Sequence, residues 1–262
     1  MSGDDPPADG SLLAAARLGA GVQFVEACGR GAYPDDVSLY RRALGVVATP
    51  DGQAYLLDVF RVRGGSQHDW LLHGSADDDM TLTSEAPLEP VAGSLLPAGV
   101  AFHRWTSEYG QRIVNGVNNA YGLFRNIRRA TADDVWTVSL SAADGSGLVT
   151  SLLGMPDADL LAAELPSVRR GREDSSRVYD YWMPTIVARR VGTDLDSAFA
   201  AVHQPVAPGG NALRVVSLPV RSNDPLARAV AVHGDGFTDY HLTGVDDSSE
   251  IALADPDRKG VG

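Results

Sequence analysis

From Gly21 onward the chain alternates short apolar runs, rich in Val, Leu, Tyr and Phe, with clusters of Gly, Pro, Asp and Asn. That texture predicts many strands joined by turns. The runs place strands over 22–27, 37–48, 53–63, 67–73, 79–83, 99–104, 134–142, 147–153, 178–191, 197–205, 212–219, 227–233, 237–243 and 249–254. Two segments carry good helix formers instead. "SLLAAARL" (11–18) predicts two helical turns capped by Ser11, and "DADLLAAEL" (157–165) predicts a short helix confined by Pro156 and Pro166. The stretches 87–97 and 106–129 are long excursions from a sheet, the kind of loop that is commonly functional.

So many strands cannot stay in one flat sheet, because twist makes a large sheet curl or split into packed layers. The expected fold is therefore all-β, an antiparallel two-sheet sandwich or supersandwich with minor short helices. The expected organisation is a disordered or helical lead-in over 1–20, one β-sandwich domain over 21–254 and a frayed tail over 255–262. A chain of 262 residues is long enough for such a core.

Candidate chemistry concentrates in "YLLDVFRVRGGSQHDWLLHG" (55–74). If Gly64-Gly65 closes a two-residue hairpin, Arg61 faces His68, Phe60 faces Asp69 and Leu56 faces His73. With the "ATPDGQ" turn (48–53) ahead of it, this makes a three-stranded meander over 37–73. Asp58 then lies diagonally across from His73. The pair reads either as two buried polar groups satisfying each other or as a carboxylate orienting a catalytic or metal-bound imidazole. His68 and His73, five apart, point to opposite faces and cannot chelate one metal from a regular strand.

The formal charge of −12 disfavours nucleic acid, and no apolar run is long enough for a membrane helix. An anionic polymer needs a local basic cleft, for which the Arg-rich stretches 41–42, 125–129 and 169–172 are available, and Trp70, Trp105, Trp136 and Trp182 offer faces for sugar stacking. The opening "MSGDDPPADG" lacks the basic and apolar regions of a signal peptide, and Cys28, alone, forms no internal disulfide. His103, His203, His233 and His241 are isolated in sequence, and nucleophile-elbow, HExxH, paired CxxC and phosphate-loop motifs are absent.

Two stretches carry a family resemblance. "LYRRALGVVATPDGQAYLLDVFRVRGGSQHDWLLHG" (39–74) resembles the C-terminal β-sheet region of the heparinase II/III-like polysaccharide lyases, where a basic strand leads to a "vvDvfrv.G" strand and then a short strand ending in His. "IVARRVGTDLDSAFAAVHQP" (186–205) is similar to that family's "RR.g..l.S.F..v.EP" segment, with Gln204 in place of the glutamate. The resemblance covers roughly residues 21–219. It implies the sandwich half of an enzyme that cleaves uronic-acid-containing polysaccharide by β-elimination, with an α/α toroid as partner domain that this chain does not contain. It also implies His73, then His68, as cleft or catalytic histidines, Arg42, Arg61 and Trp70 as substrate contacts, and a periplasmic or extracellular setting. The residues establish no cofactor; a structural zinc at His73 and Asp58 is the candidate metal site. The alternative from another class is a non-catalytic carbohydrate-binding or structural sandwich.

Overall fold

The computed structural model describes residues 9–254 except 20, 110–111, 156, 168, 170–176 and 247. The largest sheet has eight strands: β1 (Ser11–Leu18), β2 (Val22–Cys28), β3 (Leu39–Ala48), β4 (Ala54–Arg63), β15 (Asp196–Val206), β12 (Gly147–Leu153), β11 (Val135–Ser141) and β6 (Thr81–Ser84), in that spatial order. A second sheet runs β5 (Gln67–His73), β14 (Trp182–Val191), β13 (Ala158–Pro166), β10 (Arg125–Ala130), β7 (Leu88–Pro90). A third holds β16 (Arg214–Leu218), β18 (Arg228–Gly234) and β19 (Phe237–Thr243). Two ribbons, β8 (Arg104–Tyr109) with β9 (Arg112–Val117) and β17 (Val220–Ser222) with β20 (Ile251–Leu253), complete the pairing. Every pair is antiparallel, as the strand-and-turn texture predicts.

The eight-stranded sheet is covered on both faces. Phe60, Val62, Trp136, Val138, Leu140, Phe199 and Ala201 pack against Trp70, Leu160, Ala162, Ile186 and Ala188 of the second sheet. On the other face Val47, Tyr55, Leu57, Val59, Ala200 and Val202 pack against Val230 and Val232 of the third. On the second sheet's outer face Leu95 and Phe124 pack against Ile127, Leu161, Ala163 and Val187 of the sheet. A strand buried on both faces needs apolar residues at consecutive positions, which accounts for the runs Leu160–Ala163 in β13, Ile186–Ala188 in β14 and Ala198–Val202 in β15.

The same reasoning corrects the helix expected over 157–165. Leu160 and Ala162 enter one core while Leu161 and Ala163 enter the other, so the segment is a two-faced central strand, β13. Residues 11–18, expected as helix in a lead-in, instead pair with β2 as the edge strand β1, so the sheet starts ahead of 21. The strand expected over 99–104 begins only at Arg104, and the excursions contain β7, the β8–β9 ribbon and β10. In "RNIRRA" (β10) arginines occupy three of the six positions and hide the strand pattern. The tail 255–262 lies outside the described residues.

The hairpin at Gly64-Gly65 is also corrected. β4 pairs with β3 and β15, and β5 pairs with β14, so the corner carries the chain from one sheet to the next. Its hydrogen bonds go to the β14–β15 connection: Gly64 N–H to Leu195 O (2.9 Å), Leu195 N–H to Gly65 O (3.2 Å) and Gly192 N–H to Ser66 O (3.0 Å). Gly64 has φ +98°, and a Cβ there would sit 2.6 Å from the Asp36 carbonyl oxygen.

Gly64→Ala is therefore expected to cost about 2 kcal/mol or more, combining left-handed strain with the clash. Gly45→Ala, whose added Cβ meets nothing within 4 Å, should be neutral or stabilising by about 0.5 kcal/mol. Urea unfolding of both variants checks the pair.

Candidate functional site

Alternation along three strands builds one continuous wall. On β3, Tyr40 and Arg42 share a face; on β4, Asp58, Phe60 and Val62 do; on β5, His68, Trp70 and Leu72 do. These faces meet between the first two sheets.

At the centre is Asp58, with no solvent exposure. Arg42 grips it with both arms, Nε to Oδ1 at 2.8 Å and Nη2 to Oδ2 at 2.6 Å. The Trp70 indole N–H donates from the opposite sheet to Oδ2 at 3.0 Å. His203 lies parallel to Trp70, centroids 6.0 Å apart, with Nε2 3.6 Å from Oδ2 and Nδ1 2.9 Å from the Thr150 hydroxyl. Burial raises the Asp58 carboxyl, but His203, Arg42 and Trp70 together outweigh it and hold it below the usual carboxylate range. The Thr150–His203–Asp58 order invites comparison with a hydrolytic triad. Thr150 and His203 are both buried, so no substrate reaches the hydroxyl and the group is a structural node.

One strand step away the same wall opens into a cavity of about 380 Å³. Its lining is Tyr33, Asp36, Val37, Tyr40, Phe60, Val62, Gly65, Ser66, Gln67, His68, Asp69 and Tyr121. Tyr33 and Tyr40 lean together (centroids 5.4 Å), and Tyr40 meets Phe60 edge-on at 4.9 Å. Tyr121 arrives from the 106–129 excursion on a short 3-10 turn, its backbone N–H held by the Asn119 side chain at 2.9 Å. Its hydroxyl bonds Asp69, which also takes the Arg189 guanidinium through both oxygens at 2.8 and 2.9 Å. Burial, then Asp69, push the Tyr121 phenol up, while burial and Tyr33 raise that of Tyr40. Both stay protonated hydroxyl donors.

His68 is locked into the wall. Its Nε2–H donates to Gly64 O at 2.5 Å, which leaves Nδ1 to accept from Ser197 at 2.8 Å. Ser197 is in turn fixed by Arg190 at 3.0 Å. Burial lowers the His68 pKa, and the ring is neutral at pH 7.

The remaining expected site residues are dispersed. His73 faces outward on β5, exposed, with Nδ1–H on its neighbour's carbonyl, Gly74 O, at 2.8 Å. It shares no pocket with Asp58, because β4 and β5 do not pair and His73 points to the face of β5 opposite Trp70, the residue that does reach Asp58. The zinc arrangement does not fit these residues: the Asp58 oxygens are taken, and among the described residues no three His, Cys, Asp or Glu side chains converge on a point. Arg61 is 2% exposed and faces the third sheet, donating to Leu226 O (3.2 Å) and Thr243 (2.6 Å). Trp70 is 1% exposed and cannot stack on a sugar. Arg42 keeps an exposed flank, but its head group is committed to Asp58. Of the Arg-rich stretch 169–172, residues 170–172 lie outside the described residues. Sequence reasoning missed Tyr33, Tyr40 and Tyr121, whose convergence depends on the corner and the excursion, and considered Asp69 only as a face-mate of Asp58 and His73.

No family model matches the chain, and no curated protein matches it in sequence. Among solved structures, heparan sulfate lyase HepC from Pedobacter heparinus is similar at TM-score 0.43 and 12% identity over 90% of this chain. A heparinase III, the BT4657 gene product, is similar at TM-score 0.46 and 12% identity over 90%. The chain spans 28% of the length of each. Among the described residues no helix is long and apolar enough to cross a membrane.

The locked imidazole predicts a pH dependence. A histidine with a lowered folded pKa binds fewer protons than in the unfolded chain, so stability is full above the unfolded value of about 6.5 and falls as pH drops through it. His68 and His241, the latter also lowered by burial, act in this direction. Urea unfolding between pH 7.5 and about 5 should show declining stability, with a shallower slope in His68→Asn; an identical slope would count against the assignment.

Proposed function

We propose that this chain is the β-sandwich part of a heparinase II/III-like polysaccharide lyase, and that it holds glycan in the tyrosine-lined cleft without carrying out β-elimination by itself. Support comes from the two sequence stretches, 39–74 and 186–205, which resemble that family in the same order. Support for a holding role comes from the cleft. It offers aromatic faces and hydroxyls, the mixture of apolar surface and few placed polar groups that suits a small-molecule site.

The observation that carries the reading is the double engagement of His68. β-Elimination from a uronate needs a base for the C5 proton and an acid for the leaving oxygen. The one imidazole in the cleft has both nitrogens bonded, and the Tyr40 and Tyr121 phenols are held protonated. None of these three groups is free to take the C5 proton, so on this reading the base comes from a toroid outside these residues, and the site lies where the two bodies meet. A periplasmic or extracellular setting belongs to the same reading.

The locked histidine equally favours a sandwich that only binds carbohydrate. Incubating the purified chain with alginate or a heparin-like polymer should give no ultraviolet-absorbing unsaturated product, and robust turnover would overturn the proposal. The neighbouring coding sequence separates the two readings. A helical segment rich in Trp, Tyr and His is expected for the lyase, and its absence leaves the binding module.

A further inference from the structure

The charges around the cleft select among sugars. No lysine or arginine lines it. The guanidiniums around it are engaged by neighbouring groups: Arg189 sits behind Asp69 with two nitrogens on that carboxylate and a third on Leu95 O at 3.0 Å, Arg30 donates Nε to Val37 O at 3.2 Å, and Arg190 donates to Ser197 at 3.0 Å. Arg42, one step along β3, is closed on Asp58. Asp36, at the exposed rim, makes no side-chain hydrogen bond or ion pair among the described residues, so its charge is uncompensated. A bound carboxylate would therefore leave water for a site whose lining presents the unpaired Asp36 carboxylate and no cation of its own, an arrangement that rejects a ligand by repulsion.

What the lining does offer suits an uncharged ring. Tyr33 is 47% exposed, so its face is open to the mouth, and it leans on Tyr40 behind it. Ring faces of this kind pack the C–H side of a pyranose, while Ser66 and the Tyr33 and Tyr40 phenols offer hydroxyls to it; Gln67 and Tyr121 already donate to Asp69. A cavity of about 380 Å³ is at the small end of ligand pockets, enough for one or two sugar units.

Resting on the glycan-binding reading above, we infer that the Tyr33–Tyr40–Tyr121 cavity is a subsite for an uncharged pyranose unit that excludes uronate, with Asp36 as the excluding group. In an alternating polymer the uronate would then lie outside this cavity. Chain position, not overall charge, would set the register.

Isothermal titration calorimetry of the chain tests this with four probes: cello-oligosaccharide, chito-oligosaccharide, an alternating uronate–N-acetylhexosamine oligosaccharide and alginate oligosaccharide, a pure uronate. At least one neutral probe and the alternating one should bind, and alginate should bind about tenfold or more weakly. Tyr33→Ala should weaken neutral binding by about tenfold. Asp36→Lys, an exposed substitution whose fold is checked by circular dichroism, should bring alginate to the affinity of the neutral probes, with Asp36→Asn intermediate. Alginate binding that equals the neutral probes and falls in Tyr33→Ala would overturn the uronate exclusion while leaving the glycan reading intact. An unchanged preference in Asp36→Lys would do the same. No binding of any probe would overturn both.

Discussion

A carboxylate sealed between two β-sheets is tolerable only if its charge is matched on the spot, since removing an unpaired ion from water costs several kcal/mol. Asp58 meets that condition with donors from both sheets: Arg42 on the neighbouring strand and the Trp70 indole from the facing edge strand. Hydrophobic burial presses the layers together without directional preference. The Asp58 node adds direction, because Trp70 must present its N–H at one place for the carboxylate to be satisfied. It thereby sets how β5 lies across β3 and β4.

The cleft inherits that alignment. Tyr40 is two residues from Arg42, Phe60 two from Asp58 and His68 two from Trp70, so in each strand the wall of the cavity is the next same-face position after the node. The glycine corner holds the other side. It turns β4 into β5 across the layers, and its Gly64 carbonyl fixes the His68 ring. Strands carry half of the lining, and the 33–37 loop, the Gly65-Ser66 corner and the Tyr121 excursion supply the other half.

The strand pattern was legible because alternation and turn residues are local properties. Single-strand faces were legible too: Asp58 with Phe60 and Trp70 with Leu72 do share the faces their spacing predicts. Partner choice was not. Two glycines with positive φ serve a tight hairpin and a sheet-crossing corner alike, and only the non-local competition of β15 for β4 and β14 for β5 decides between them. Segment 157–165 failed for a related reason, since Leu-Leu-Ala-Ala suits a helix until cores exist on both sides. The polar residues of the two family-like stretches mostly hold structure. Arg189 pairs with Asp69, Arg190 with Ser197, and Ser197 with His68, so their spacing reported scaffold, not chemistry. Tyr33 and Tyr121 carried no periodic signal at all, coming from loops whose paths depend on the finished sheets.

The central claim is that Asp58 and Trp70 are energetically coupled across the two layers. A double-mutant cycle with Asp58→Asn and Trp70→Phe, measured by urea unfolding at neutral pH, tests it most directly. Coupling of about 1 kcal/mol or more between the two substitutions is the result this account predicts. Additivity within about 0.5 kcal/mol would contradict it and leave the alignment of the sheets to apolar packing alone.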